Sequence, residues 1–162
     1  MTVSIGSFLQ QSYAQFKATG DKSVASDAMF VINGYEGLRM LCKQFPQPIL
    51  SPAGEIAIAT PMGGEAFQPQ QLKVNNQGQV SFYETVEGHM EAFIESIIGV
   101  GAVFNATVYE GTLEKYKRGW QIKDCFFQFD NPDRDWENRS QVTMVSGTLF
   151  FHYFGEKIPG NY

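Results

Sequence analysis

The sequence is short of the residue types that most chemistry requires. It holds only two cysteines and two histidines in 162 residues. Cys42 and Cys125 lie far apart, each within an apolar stretch, and no Cys-x-x-Cys occurs. Buried free thiols are the expectation, with no disulfide. His89 and His152 do not form a ligand pair by spacing. No Gly-x-Ser-x-Gly is present, so no nucleophile is set up by motif. Pro61-Met62-Gly63-Gly64-Glu65 has a glycine pair but neither the spacing nor the lysine of a phosphate loop. These gaps predict a protein that is not an enzyme and takes no metal and no cofactor.

Two further shortages bear on partners. No apolar run approaches the length of a membrane span, and Met1 to Ser7 has no basic leader pattern. Manufacture and use in the cytosol is the expectation. Positive charge is also scarce, with 12 Lys and Arg against 17 Asp and Glu, a net charge of -5. Proteins that grip duplex DNA replace its counterions with cations. This chain is expected to show negligible affinity for DNA, which does not prevent DNA from sliding past it.

What the sequence does have is aromatic residues. Fourteen Phe, 7 Tyr and 2 Trp make up 14% of the chain. Such side chains fit pleated surfaces and interfaces. The fold class expected is mainly β (α+β), an antiparallel β-sandwich or barrel with one flanking helix and an N-terminal helix. Residues 1–27 form a helical arm in this reading, and residues 28–162 form the β domain.

In the arm, Ile5, Phe8, Leu9, Tyr13 and Phe16 recur at helical spacing, which predicts an amphipathic helix over 3–17. Its apolar face either packs on its own domain or docks on a neighbour. Ala28 to Ile32 is strand-like and is followed by Asn33-Gly34, a tight-turn pair. Leu38 to Lys43 is the expected return strand. Residues 45–71 are broken by proline and glycine, with Ile56 to Ala59 the only strand-like run. Long connections are uncommon unless they carry function. This one keeps Phe45, Ile49, Leu50, Met62 and Phe67, so it is expected to pack on something.

Residues 71–74 and 80–86 are expected to form a second hairpin around Asn75-Asn76-Gln77-Gly78. Met90, Phe93, Ile94, Ile97 and Ile98 then mark one buried face of a helix at 88–98. Strands follow at 103–109, about 118–129 and about 141–154. The last two, at about 3.3 Å per residue, would each span roughly 40 Å. Strands that long imply a sheet continuing beyond one subunit.

The acidic stretch Asp130, Asp133, Asp135 and Glu137 has the composition of a calcium loop. It lacks the required glycine and is stiffened by Pro132, so a charged connection is expected instead. His152 is expected to be a packed strand residue, and His89 to sit exposed at the helix start. Lys115, Lys117 and Arg118 lie among aromatics and acids, in a hairpin connection rather than a nucleic-acid groove.

This order of elements resembles the tail tube family of contractile-tailed bacteriophages, related in fold to the type VI secretion tube protein. The resemblance rests on Gln79-Val80-Ser81-Phe82-Tyr83-Glu84-Thr85-Val86 leading into the helix. It rests equally on Ser140-Gln141-Val142-Thr143-Met144-Val145-Ser146-Gly147-Thr148-Leu149-Phe150-Phe151-His152-Tyr153-Phe154 near the end of the chain. Residues 131–140 also look like tube-like proteins of Pseudomonas-type myophages. The resemblance covers most of residues 28 to 155.

It implies hexameric rings with a continuous inner β-barrel, stacked into a tube inside the tail sheath and above the baseplate. It also implies a virion location, assembly in the host cytoplasm, and genomic DNA passing through the lumen without specific binding. The subunit interface it points to comprises Phe45, Leu50, Met62 and Phe67 of the excursion, with Phe8 and Tyr13 of the arm. The arm departs from the simplest tube pattern, and a baseplate tube initiator of the same fold is the alternative. A monomeric small-molecule-binding β-barrel is a further alternative.

Overall fold

The computed structural model describes residues 5–161. Within them α1 spans Gly6–Ala18, and the first two positions of the expected helix lie outside the described residues. The strands are β1 (Met29–Ile32), β2 (Cys42–Gln44), β3 (Glu55–Ala59), β4 (Glu65–Pro69) and β5 (Asn75–Tyr83). Then come α2 (His89–Gly99), β6 (Phe104–Gly111), β7 (Tyr116–Phe129), β8 (Met144–His152) and β9 (Lys157–Pro159). The fold is mainly β, with one antiparallel sheet in the order β1-β6-β7-β8-β5-β2 and β9 added beside β7.

β7 joins the two halves of this sheet. Its first part pairs with β6, Tyr109 opposite Gly119 and Ala106 opposite Ile122. Its last part pairs with β8, Phe126 opposite Phe150 and Phe129 opposite Gly147. The register shifts between Lys123 and Phe126. There Asp124 takes a left-handed φ of 49°, and its backbone N–H donates to Asn105 Oδ1 at 3.1 Å. A bulge of this kind bends a strand and increases its twist. The sheet thereby curls around a core of Phe82, Phe93, Phe104, Trp120, Ile122, Leu149 and Tyr153. Phe127 lies 4.9 Å from Phe104 and 5.5 Å from Phe82, ring centre to ring centre.

α2 covers this core with Met90, Phe93 and Ile97; of the face expected from the spacing, Ile94 is only partly buried and Ile98 is 65% exposed. Burial of each such side chain stabilises by about 1.5–3 kcal/mol. The start of α2 is satisfied by a residue the spacing did not reveal. The Glu84 carboxylate accepts the N–H groups of Thr85 at 2.9 Å, Met90 at 3.0 Å and Glu91 at 3.1 Å. Three donors that would otherwise lack a partner converge on one anion at the positive end of the helix.

Several expectations need correction. The chain after Asn33-Gly34 does turn, with Gly34 at φ 90°, but it enters a short 3-10 helix, Glu36–Met40, rather than a return strand. β1 pairs with β6, and β2 pairs with β5. Residues 75–78 are not a turn. They begin β5, which pairs with β8 without a break from Asn75 opposite His152 to Tyr83 opposite Met144. Gly78 is needed there for close approach, since a Cβ would lie 2.5 Å from the Pro46 ring. β8 runs only from Met144 to His152, nine residues rather than about 141–154, so of the two strands expected to be long only β7, with 14 residues, is. β4 and β9 were not anticipated.

The tightest strand contact is at Gly147, where a Cβ would lie 2.1 Å from the Gln128 carbonyl oxygen and 2.7 Å from Phe129 Cα. Both obstacles are backbone, so neither can rotate aside. Gly147→Ala is therefore expected to cost about 1–3 kcal/mol of stability by overpacking. Gly6→Ala, with open space around its site, should leave the unfolding midpoint of the β body unchanged. Denaturant titrations of the two variants check the difference, and equal midpoints would contradict the close approach.

Candidate assembly surfaces

The excursion between β2 and β5 is a two-stranded ribbon. β3 and β4 pair from Glu55 opposite Pro69 to Ala59 opposite Glu65. The ladder continues toward the body, with Gln70 N–H donating to the Gly54 carbonyl at 2.8 Å and Lys73 N–H to the Ser51 carbonyl at 2.9 Å. Every residue of β3 and β4 is exposed. An isolated two-stranded hairpin is marginal in water. This one nevertheless carries Ile56, Ile58 and Phe67, the last 77% exposed.

Its tip runs from Thr60 to Gly64, closed by Thr60 N–H donating to the Gly64 carbonyl at 2.8 Å. Met62 occupies the tip with φ 63°, ψ 33°. Left-handed backbone in a non-glycine residue costs roughly 1–2 kcal/mol. Its side chain is fully exposed and contributes nothing to the subunit's own core.

The other expected interface residues are distributed differently. Leu50 is half exposed at the base of the ribbon and lies against Gly155. Phe45 is partly buried on the subunit's own core, its ring centre 5.8 Å from that of Phe30. Phe8 and Tyr13 lie on α1, none of whose residues is buried. Phe8, Leu9, Tyr13 and Phe16 are each about half or more exposed. Of the two readings for this face, packing on its own domain is the one the structure does not adopt. α1 and the ribbon are thus two separate apolar surfaces on one body.

Sites that could carry chemistry were also located. The acidic residues from Asp130 to Glu137 are strung along an exposed connection, where Asp135 Oδ1 accepts the Glu137 N–H at 3.0 Å. Among the described residues no three of His, Cys, Asp and Glu converge as metal ligands. His152 Nδ1 faces the Lys123 carbonyl at 3.3 Å. His89 Nδ1 lies 2.6 Å from Thr85 Oγ1 and 3.9 Å from Glu87. Both partners address the same ring nitrogen, so no relay runs across the imidazole, and Thr85 also accepts the His89 backbone N–H at 3.1 Å. This cluster belongs to the helix start. Arg118 is ion-paired to Glu110 and holds that carboxyl below its ordinary range.

No protein-family model matches the chain, and no curated protein matches it in sequence. Solved structures do match. A chain of an extracellular contractile injection system, the PVC sheath–tube complex in its extended state, aligns with TM-score 0.58 at 12% identity. The match covers 89% of this chain and 95% of that one. A chain of the anti-feeding prophage tube-terminating cap aligns with TM-score 0.57 at 12% identity, over 83% and 89% of the two chains. A chain of the anti-feeding prophage baseplate aligns with TM-score 0.56 at 10% identity, over 86% and 97%. The fold is tail-tube-like. The likeness covers nearly all of each partner chain, so it concerns the whole β body rather than one motif.

Cys42 and Cys125 are both free thiols, Cys125 buried as expected and Cys42 only partly so. Burial pushes each up from 9.0 to about 12. Between these values the unfolded chain loses its thiol protons and the folded chain keeps them. Stability should therefore be intact below about pH 9 and fall as pH rises from 9 toward 12. Thiol labelling at pH 8 should be slow in native protein and fast in denaturant. Rapid native labelling of Cys125 would contradict its burial.

Proposed function

We propose that this chain is a structural subunit of a contractile tail's inner tube. It assembles into hexameric rings that stack into the conduit through which phage DNA is delivered, within the sheath and above the baseplate. The carrying observation is the β3–β4 ribbon, an ordered hairpin with a wholly exposed apolar set and a strained methionine at its tip. A hairpin of that kind gains stability by laying its apolar side chains on a partner. The tail-tube-like fold makes the next ring the partner of choice, and Met62, Phe67 and Leu50 the residues that seat on it. Phe45 contributes from the ribbon's base, through its packing on Phe30.

The acidic balance, -5 overall, suits a lumen that repels phosphate and lets DNA move without sticking. The small-molecule barrel is disfavoured, because Phe82, Phe93, Phe104, Phe127 and Phe129 fill the space inside the sheet. A tube initiator or terminator of the same fold is favoured by one feature. α1 stands off the body and offers a contact that a plain repeating ring does not need.

The test is Met62→Ala combined with Phe67→Ala. Alanine at position 62 keeps the backbone strain and removes only the side chain. Truncation should cost about 1–3 kcal/mol of association at each contact, repeated around the ring. Circular dichroism should match the parent, while negative-stain microscopy shows short stacks or single rings in place of tubes. Folded protein that still elongates like the parent would refute the role of the ribbon.

A further inference from the structure

Sulfur is placed unevenly across the chain. Cys125 is buried and Cys42 partly so. Of the methionines among the described residues, Met90 is fully buried, Met29 and Met144 are partly buried, and Met40 and Met62 are exposed. The two exposed ones differ in their surroundings. Met40 lies on the wall of an apolar groove with Leu41, Ala92 and Phe93. Met62 stands fully exposed at the ribbon tip, between Pro61 and Gly63. Gly63 and Gly64 offer no side chain to shield it, and Gly64 lies too close to Thr60 Oγ1 to carry one. The Thr60–Gly64 hydrogen bond fixes the tip in this form.

We propose that Met62 is a reversible oxidation site, and that peroxide acting there switches off the ribbon's contact with the next ring. The proposal rests on the tube reading and names a control on the same surface. The Met62 sulfur attacks one oxygen of hydrogen peroxide with a lone pair as the O–O bond breaks. The sulfur is oxidised to the sulfoxide, and the peroxide is reduced to water. A methionine sulfoxide reductase reverses the step, with a thiol pair that removes the oxygen as water and closes to a disulfide.

The product is a polar, chiral side chain in the place of an apolar one. The subunit's own fold is indifferent to it, because the Met62 side chain already stands in water and adds nothing to the core. The contact is not indifferent. A sulfoxide carried into an apolar pocket loses the water on its oxygen without gaining a partner. Oxidation at Met90 would act the other way, placing the same polar group inside the core. The exposure pattern thus separates a change in association from damage to the fold.

The experiment treats dilute subunit with limiting hydrogen peroxide and follows each methionine by peptide mass mapping. Met62 should be oxidised well before Met90, with the unfolding midpoint unchanged. The oxidised protein should self-associate about tenfold more weakly by sedimentation velocity. A methionine sulfoxide reductase with its thiol reductant should restore the association. Met40→Leu, outside the ribbon, should assemble like the parent and lose assembly to peroxide as the parent does. Whatever assembly Met62→Leu retains should be untouched by peroxide. On preformed stacks Met62 should be oxidised more slowly than on the dilute subunit.

Oxidation of Met62 no faster than that of Met90 overturns the proposal. So does assembly of the Met40→Leu protein that survives peroxide. An untreated parent that never stacks sinks the tube reading and this proposal with it. Oxidised parent that still stacks, beside Met62→Ala/Phe67→Ala protein that does not, strikes this proposal alone.

Discussion

The bulge in β7 is the constraint on which the rest of the structure depends. One strand must serve two neighbours, β6 along its first part as far as Cys125 and β8 from Lys123 to its end, so the two pairings overlap at the bulge. A straight strand would keep the sheet open and expose the inward faces of β6 and β8. The turn of the backbone at Asp124, held by Asn105, lets Cys125 and Phe127 enter the core while Phe126 faces outward and stacks 5.0 Å from Phe150. Gly147 then permits β8 to lie close enough to complete the curl. α2 closes the remaining side, its start fixed by Glu84.

This arrangement divides the apolar residues into two populations. The first is spent inside the curled sheet, where Phe82, Met90, Cys125, Leu149 and Tyr153 are almost fully buried. The second stays outside, on α1 and on the β3–β4 ribbon. The body does not need these outer residues for its own stability. Their placement on protruding elements leaves them available to a partner. The polar clusters of the described chain cap a helix, pair across a hairpin or turn a connection.

The parts that were legible from sequence are those whose pattern agrees with their packing. Met90, Phe93 and Ile97 mark α2 because a helix buried on one face must repeat at that interval. β6 and β7 are marked by β-branched and aromatic residues that recur along them, Val108 and Tyr109 in one and Trp120, Ile122, Phe127 and Phe129 in the other. The parts that were not legible are those where tertiary contact overrules a local preference. Asn75 to Gly78 has the composition of a turn, yet pairing with β8 holds it extended and Gly78 serves Pro46 instead. Leu38 to Met40 stands where a return strand would begin after Asn33-Gly34, but Leu, Arg and Met favour helix, and the chain is compacted into a 3-10 helix beside β1, where Arg39 reaches Glu114 at 3.2 Å. β4 was hidden by its proline, which an isolated ribbon tolerates at its end because no further strand pairs there. Of the candidate interface residues, Met62 and Phe67 are exposed on the ribbon. Phe45 is half claimed by the core, because the sequence cannot show that Phe30 lies beneath it.

The central claim is that the β body folds alone while the ribbon is secured only by a neighbour. Amide hydrogen exchange on dilute subunit and on assembled protein tests this directly. In the dilute subunit the amides that pair β7 with β8 should be strongly protected, and those of Ile56, Ile58 and Gln68, which pair across the ribbon, should exchange at rates near those of an open hairpin. On assembly the ribbon amides should become protected while the β7–β8 amides change little. Equal protection of the ribbon in both states would contradict the claim, because it would show that the hairpin is stabilised within its own subunit.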